Sequence, residues 1–233
     1  MNILKLVVLP TVLALLVPCT CSSQKLEVDE WESPFDGKTL TGWKQYVGTA
    51  PFTVEEGAIV GRTKIGSPSS YLCTETVYDD FELEFEVKCD TGLNSGFQLR
   101  TRPMTAEDLP PEKQKMVGRI FGPQVEVESS PGQAGFLYGQ GMGGWLSPEP
   151  KGKDEKARSH SHFKNDEWNQ FRVIAQGPRI QTFVNGHKVA NLTHPQSYAT
   201  HPKGSIGLQV HMVGKNKGPF RVAWRNIRVR DLR

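Results

Sequence analysis

The sequence predicts an all-β fold, either a two-sheet sandwich or a barrel, and three observations support this prediction. From Leu26 onward, apolar and polar residues alternate in short runs that Gly, Pro, Asn and Asp interrupt. No long stretch shows the spacing of apolar residues that a helix requires. The segment Val184-Asn185-Gly186-His187 places an Asn-Gly turn between two alternating runs, which is a strong hairpin signal.

The clearest predicted strand covers residues 81–88. Phe81, Leu83, Phe85 and Val87 share one face of this strand, and charged residues share the other. Such a strand buries one face in the core and exposes the other to water. Further strands are predicted at 52–54, 58–61, 71–74, 96–101, 124–127, 168–176, 179–184, 188–192, 204–211 and 220–230.

Two long segments interrupt the regular spacing of strands. Residues 102–121 contain Pro103, Pro110 and Pro111 and predict a long loop or a short helix. Residues 132–164 form a second, Gly-rich insertion. Long loops on a rigid sandwich are where binding and catalytic sites are commonly built.

Length and composition predict one folded domain over residues 24–233. A chain of 233 residues with 37% hydrophobic content can bury a sizeable core. The formal charge of +3 is spread along the chain, and the one dense basic stretch, 151–156, is interrupted by Asp154 and Glu155. Nucleic-acid binding and polybasic membrane anchoring both need clustered charge of one sign, so we expect neither.

Residues 1–23 predict a signal peptide. An apolar run from Leu6 to Val17 follows the weakly basic first residues. This run is shorter than the roughly 20 residues that a membrane-spanning helix needs. We therefore expect an exported protein, in the periplasm, in the cell envelope or secreted. Lipid attachment at Cys19 or Cys21 is the alternative.

Cys73 and Cys89 are the two cysteines beyond the predicted signal peptide. An exported protein can join such a pair in a disulfide. In a simple hairpin of strands 69–74 and 81–89, however, Cys73 would face the middle of its partner strand. Two buried free thiols are therefore the other interpretation.

Three predicted strands carry polar side chains on one face and apolar side chains on the other. The polar residues are Gln98 and Arg100 on the first strand, Gln124, Glu126 and Glu128 on the second, and Gln209 and His211 on the third. Where these faces meet, they supply the groups needed to remove a proton next to a carbonyl. The alternative is that each is the solvated face of an ordinary strand.

The residue types suggest catalytic roles for three of these positions. His211 suits a base, because an imidazole ordinarily titrates near neutrality. Glu126 needs burial to raise the pKa of its carboxyl into the same range. Arg100 stays protonated and suits charge stabilisation. Alternation alone does not separate Glu126 from Glu128, which share a face.

The Gly-rich insertion supplies a second set of candidates. Tyr138 and Trp145, with His160 and His162 nearby, are placed to cover a sugar, because aromatic faces stack on the apolar side of a pyranose. A tryptophan in a loop is otherwise a packing anchor. His160-Ser161-His162 with Glu126 or His211 would also suit a divalent cation, although the spacing matches no established metal motif. No cofactor is otherwise indicated.

Several segments together resemble the 3-keto-disaccharide hydrolase family, and they span the chain from about residue 31 to residue 232. The matching segments are Phe35-Asp36-Gly37-Lys38-Thr39-Leu40 with Gly42-Trp43, Asp80-Phe81-Glu82-Leu83, Asn94-Ser95-Gly96-Phe97-Gln98-Leu99-Arg100, Trp168-Asn169, Gly177-Pro178-Arg179-Ile180, Val184-Asn185-Gly186, Gly207-Leu208-Gln209-Val210-His211 and Trp224-Arg225-Asn226-Ile227-Arg228-Val229. The resemblance implies a concanavalin A-like jelly-roll β-sandwich. Many relatives carry a Glu-x-Gln order and a following Asp where this chain has Gln124-Val125-Glu126 and Glu128. This difference also leaves open whether Glu126 or Glu128 is the catalytic carboxylate.

The resemblance implies an enzyme that cleaves glycosides whose sugar is already oxidised to a ketone at carbon three. That chemistry needs a base, a proton donor for the departing oxygen and a partner for the developing enolate. We assign these tasks to His211, Glu126 and Arg100. Substrate binding falls to Gln98, Gln124, Glu128, Tyr138, Trp145 and Gln209. The alternatives are a non-catalytic carbohydrate-binding module and an envelope protein that presents its loops to a protein partner.

Overall fold

The fold is a sandwich of two seven-stranded antiparallel sheets, so the all-β sandwich prediction is confirmed. The computed structural model describes residues 30–128, 132–147 and 160–233. The predicted signal peptide, Cys19 and Cys21 lie outside the described residues. No helix within the described ranges is long and apolar enough to cross a membrane.

The first sheet, here called the front sheet, has the strand order β1-β4-β13-β6-β7-β8-β9. Its strands are β1 (Trp43–Tyr46), β4 (Ser70–Thr74), β6 (Asn94–Pro103), β7 (Ile120–Glu128), β8 (Leu137–Gln140), β9 (Gly144–Ser147) and β13 (Ser205–Val210). The strands β1, β8 and β9 were not predicted. The Gly-rich insertion therefore holds a hairpin that widens the front sheet at one edge.

The second sheet, the back sheet, has the order β12-β11-β10-β5-β14-β3-β2. Its strands are β2 (Phe52–Glu55), β3 (Ala58–Arg62), β5 (Phe81–Cys89), β10 (Asn169–Gln176), β11 (Arg179–Val184), β12 (His187–Thr193) and β14 (Arg221–Asp231). Asn185 and Gly186 both have positive φ and close the predicted hairpin of β11 and β12.

Short helices complete the chain. The proline-containing segment between β6 and β7 forms two 3-10 turns, Ala106–Asp108 and Pro111–Met116, as its composition predicts. An α-helix, α1 (Pro195–Thr200), connects β12 to β13 and was not predicted. His194 caps it, because its Nδ1 accepts a hydrogen bond of 3.0 Å from the Ser197 N–H.

Aromatic rings join the two sheets in the core. The ring of Phe97 on β6 stacks on Phe85 of β5, with centroids 4.1 Å apart, and Phe85 stacks in turn on Phe171 of β10. All three side chains are at most 1% exposed. The alternating pattern that predicted β5 therefore points Phe85 inward, against the front sheet.

The outer face of the back sheet carries neighbouring charges of opposite sign. The acidic residues of β5 face the arginines of β14 in the pairs Glu82–Arg230, Glu84–Arg228 and Glu86–Arg225. These pairs join adjacent strands of one sheet. The acidic residues of β5 therefore form a row of cross-strand ion pairs with the arginines of β14.

The two cysteines are free and buried. Cys73 lies on β4 in the front sheet and Cys89 on β5 in the back sheet, so the two strands do not form a hairpin. Burial raises the pKa of Cys73 to about 12, which keeps the thiol protonated. The interpretation as buried free thiols is confirmed.

We expect the Phe97→Ala substitution to lower the free energy of unfolding by about 3–5 kcal/mol, because it leaves a cavity beneath Phe85. Urea denaturation followed by circular dichroism measures this loss. The matched substitution Val77→Ala changes a side chain that is 56% exposed, and we expect less than about 0.5 kcal/mol there. Equal effects of the two substitutions would contradict the assigned core.

A polar pocket on the front sheet

The pairing of four strands places polar side chains in one row across the outer face of the front sheet. Tyr71 on β4 lies opposite Gln209 on β13, which lies opposite Gly96 on β6. Gly96 in turn lies opposite Glu126 on β7. Since side chains directly opposite one another share a face, these residues form the floor of one site.

A second row runs beside the first. Gln98 on β6 lies opposite Gln124 on β7, and Gln124 lies opposite Tyr138 on β8. Tyr138 lies opposite Trp145 on β9. The core residues Phe97 and Val125 alternate with these positions and point to the other side.

Residues from both rows line an open cavity of about 530 Å³. Its lining is mainly carboxylates, amides, hydroxyls, rings and one imidazole: Ser69, Tyr71, Asn94, Gln124, Glu126, Glu128, Gln133, Tyr138, Gln140, Trp145, Gln209 and His211. This volume suits one or two sugar rings. The predicted meeting of the β7 and β13 polar faces is therefore observed.

Glu126 is the buried carboxylate at the centre of the floor, and it is 4% exposed. Its Oε2 accepts a hydrogen bond of 3.0 Å from Asn94 Nδ2, and its Oε1 accepts one of 2.5 Å from Gln124 Nε2. Burial raises the pKa of Glu126 to about 7, although these two donors favour the ionised form. A carboxyl with this pKa can give or take a proton near neutrality.

The side chain of Gln124 is held in the floor of the pocket by a second amide, that of Gln98. Gln98 Nε2 donates a hydrogen bond to Gln124 Oε1. Gln98 is fully buried and does not line the cavity. A side chain at Gly96 would overlap the amide of Gln124, so glycine at this position leaves the room that Gln124 occupies. Gln98, predicted to contact the substrate, is instead buried behind Gln124.

Tyr71 and Gln209 form the opposite wall of the pocket. Gln209 Nε2 donates to the Tyr71 hydroxyl oxygen over 3.1 Å. Burial, more than any neighbouring charge, raises the pKa of Tyr71 above its ordinary value. The phenol therefore stays protonated. Its hydroxyl also interacts with the Ser69 side chain, so its hydrogen can be donated to Ser69 or to an acceptor in the pocket.

His211 lies just beyond the end of β13 at the rim of the pocket. Its Nδ1 lies 2.7 Å from the carbonyl oxygen of Met212. A carbonyl only accepts, so Nδ1 carries the hydrogen and the neutral ring presents an unprotonated Nε2. That arrangement is what a general base requires.

Glu128, Tyr138 and Trp145 also line the cavity, as the sequence predicts for substrate contacts. Glu128 lies nearer the end of β7 and is more exposed than Glu126. Burial raises the pKa of Glu128 as well. The rings of Tyr138 and Trp145 meet edge to face, with centroids 5.5 Å apart.

Arg100 does not reach the pocket, contrary to the predicted convergence of three polar faces. A bulge between Gln98 and Arg102 breaks the alternation of β6, and Arg100 has φ +47°. Its guanidinium instead donates to the carbonyl oxygens of Asp79 and Gly177 and pairs with Asp80 Oδ1 at 3.0 Å. Arg100 therefore clamps two loops at the end of the sandwich.

The histidines of the insertion stack on one another and are not among the residues that line the pocket. His162 lies between His160 and His187, with ring centroids 4.8 Å and 4.1 Å apart. His160 Nε2 also lies 2.6 Å from the Ala134 carbonyl oxygen. Within residues 30–128, 132–147 and 160–233, no three His, Cys, Asp or Glu side chains are placed to hold a metal ion.

Sequence reasoning missed five residues of the lining: Ser69, Tyr71, Asn94, Gln133 and Gln140. Of these, Tyr71 and Asn94 form hydrogen bonds with other residues of the floor. Tyr71 lies on a predicted strand, where its alternation with the core residue Leu72 was the available signal. Asn94 begins the segment that carries the family resemblance. Neither could be assigned to the pocket before the strand order of the front sheet was known.

Comparison with known proteins identifies the type of domain. The family described as the 3-keto-alpha-glucoside-1,2-lyase-like domain matches residues 30–230. No curated protein matches the chain.

Solved structures with the same fold include a putative glycosyl hydrolase, a carbohydrate-binding module and a protein of unknown function. A putative glycosyl hydrolase from Parabacteroides distasonis shares 18% identity over 87% of this chain and 94% of that chain, with a TM-score of 0.58. The carbohydrate-binding module CBM66 from Bacillus subtilis shares 14% identity over 83% of this chain and 98% of that chain, with a TM-score of 0.51. A Bacillus subtilis protein with a galectin-like fold gives a TM-score of 0.56, at 11% identity over 82% and 90% of the two chains. These likenesses establish the jelly-roll fold.

We expect the Glu126→Gln substitution to change how stability depends on pH. The pKa of Glu126 rises from 4.5 to about 7 on folding, so the folded chain binds this proton more tightly than the unfolded chain. Stability from this group is therefore present at low pH and is lost as pH rises through this interval. Glu126→Gln should remove that loss in urea denaturation series. Glu75→Gln, at an exposed residue, is the control, and an unchanged slope in Glu126→Gln would refute the assignment.

Arg100→Ala tests the structural role of the clamp. We expect it to lower the free energy of unfolding by about 3 kcal/mol or more, because it removes a buried cation and leaves its partners unpaired. Arg102→Ala breaks the more exposed pair with Asp108 and should cost less than about 1 kcal/mol. If Arg100→Ala moved the Glu126 titration seen by carboxyl NMR, Arg100 would belong to the pocket after all.

Proposed function

Because the chain belongs to the 3-keto-alpha-glucoside-1,2-lyase-like domain family, we propose that it is an exported enzyme that cleaves 3-keto-glycosides, including 3-keto-disaccharides. The observation that carries this proposal is the buried carboxyl of Glu126. It lies in a sugar-sized polar pocket, with a pKa of about 7 and with His211 in the same lining.

The ketone at carbon three makes the proton on carbon two acidic. When a base takes that proton, the electron pair forms an enolate, which then restores the ketone and forms a double bond between carbons one and two. The bond from carbon one to the glycosidic oxygen breaks in that step, and the departing oxygen takes a proton. Addition of water to carbon one completes a net hydrolysis.

His211 is the proposed base, because its Nε2 is the nitrogen that is not hydrogen-bonded to Met212. The protonated form of Glu126 is the proposed donor to the departing oxygen. In the hydration step, the Glu126 carboxylate takes a proton from water, and the His211 imidazolium returns one to carbon two. Each group ends the cycle in the protonation state in which it began.

Tyr71 has the role in stabilising the enolate that the sequence predicts for Arg100. Its hydroxyl accepts a hydrogen bond from Gln209, which leaves its own hydrogen to stabilise the developing enolate oxygen. The sugar would then turn carbons two and three toward β4 and β13 and carbon one toward β7. Gln124, Glu128, Tyr138 and Trp145 are the proposed contacts of the sugar and its leaving group.

The competing function is a non-catalytic carbohydrate-binding module. Tyr138 and Trp145 beside a row of amides form a surface that such a module would also use. A ketone is the feature that separates the two functions, because elimination requires it and simple binding does not.

The test is incubation of the purified protein with a 3-keto-disaccharide and with the unoxidised disaccharide, each with and without a chelator. We expect release of 3-keto-glucose from the oxidised substrate alone. Loss of this activity on adding the chelator would reveal that a divalent cation is required.

His211→Gln and Glu126→Gln should each lower kcat by about 100-fold or more, while Glu75→Gln should not. Tight binding of the unoxidised disaccharide without turnover of either would favour the binding module. Full activity of both pocket variants would refute the residue assignment.

A further inference from the structure

Three histidine rings stack where the Gly-rich insertion meets the hairpin of β11 and β12. His187 begins β12, and the rings of His162 and His187 are within 9° of parallel. His160 also stacks on His162. In the hairpin turn, Asn185 Nδ2 donates a hydrogen bond of 2.7 Å to the His162 carbonyl oxygen. These contacts therefore fix the end of the insertion to the back sheet.

His160 connects this cluster to the segment 132–136, which leads into β8. Its ring Nε2 lies 2.6 Å from the Ala134 carbonyl oxygen, and its backbone N–H donates to the Gly132 carbonyl oxygen over 3.2 Å. Gly132 has φ +95°, and a Cβ there would meet the carbonyl oxygen of His160 at 2.3 Å. Glycine at this position therefore allows the two backbones to lie close together.

Both ring nitrogens of His160 form hydrogen bonds. A carbonyl only accepts, so Nε2 carries the hydrogen that bonds to Ala134. Nδ1 accepts a hydrogen bond of 3.1 Å from the His162 N–H and is therefore unprotonated. Burial, together with His162 and His187, lowers the pKa of His160 below its ordinary value, although the bond to Ala134 opposes this shift. The neutral ring is thus held in one tautomer and one orientation.

The segment 132–136 pairs with the backbone of Glu126. The Glu126 N–H donates to the Phe136 carbonyl oxygen over 2.9 Å, and the Gly135 N–H donates to the Glu126 carbonyl oxygen over 2.8 Å. Gln133, in the same segment, lines the polar pocket. The segment that His160 holds therefore supports Glu126 and supplies part of the pocket wall.

We propose that His160 is a positioning residue for Glu126. It does not line the pocket, and it acts through the segment 132–136, which it holds against β7. This inference rests on the proposed function in giving Glu126 a catalytic task, and it adds to that reaction a residue from outside the pocket. Without the ring hydrogen bonds of His160, the segment moves away from β7 and water reaches Glu126.

The variants His160→Phe and His160→Gln separate two properties of the side chain. Phenylalanine keeps a stacking ring and loses both ring nitrogens, whereas the glutamine amide can still donate to Ala134. We expect His160→Phe to lower the pKa of Glu126 from about 7 toward its ordinary 4.5, because water reduces the effect of burial. His160→Gln should keep this pKa near the wild-type value. Carboxyl NMR measures the titration.

Amide hydrogen exchange gives a second measurement. The N–H groups of Glu126 and Gly135 donate between β7 and the segment, and the N–H of Leu208 in β13 reports the rest of the front sheet. Relative to Leu208, we expect His160→Phe to speed exchange of the first two by about tenfold, the effect of losing one buried hydrogen bond. His160→Gln should change it by less than about threefold.

His194→Asn is the matched control, because it removes a histidine outside the cluster and asparagine also caps a helix. It should leave both measurements unchanged, and changes equal to those of His160→Phe would overturn the proposal. A wild-type pKa of Glu126 and wild-type exchange in His160→Phe would overturn the positioning role and leave the proposed function standing. If His160→Phe does not fold, His160→Ala takes its place.

Turnover of a 3-keto-disaccharide connects this role to the reaction. Because protonated Glu126 is the proposed donor, activity falls as pH rises through its pKa. We expect this loss of kcat to begin at lower pH in His160→Phe and to return to the wild-type position in His160→Gln. Absence of turnover by the wild-type protein overturns the proposed function, and the two NMR measurements then still decide whether His160 positions Glu126.

Discussion

The register of β6 with its two neighbours is the constraint on which the site depends. Phe97 must point inward to stack on Phe85, and this orientation fixes which residues of β6 face outward. Through the pairing of strands, it also decides that Glu126 and Gln209 share one outer surface. A slip of β6 by one residue would expose the ring of Phe97 to water and bury the amide of Gln98 in the core. The core therefore specifies the pocket although it contributes no side chain to it.

Within that frame, Glu126 is held between two opposing effects. Burial disfavours its charge, whereas the hydrogen bonds from Asn94 and Gln124 favour it. At neutral pH, burial alone would keep the carboxyl protonated, and the hydrogen bonds alone would keep it ionised. Their balance gives a group that can change state during a reaction, and it depends on amides that have no charge of their own. The neighbouring carboxylate of Glu128 adds to the effect of burial and also raises the pKa of Glu126.

Alternation along the sequence was enough to predict the all-β class, the polar faces of β7 and β13 and the core position of Phe85, whereas the family resemblance distinguished the sandwich from a barrel. It failed at Arg100, because a bulge changes which side a residue faces and leaves no mark in the pattern of apolar residues. It also left Tyr71 and Asn94 unassigned, since their roles depend on which strands are neighbours. Strand order is set by contacts between residues far apart in the chain, which no local pattern contains.

The row of amides that ends at Glu126 also has a polarity. An ionised carboxylate only accepts, so Gln124 turns its NH₂ toward Glu126 and its carbonyl toward Gln98. Gln98 Oε1, at the far end, has no hydrogen-bond partner in the described part of the chain. A protonated Glu126 keeps lone pairs on both oxygens, so it can retain the hydrogen bonds from Gln124 and Asn94 while its O–H points into the pocket. The orientation of the neutral amides thus directs the proton of the carboxyl toward the open side of the site.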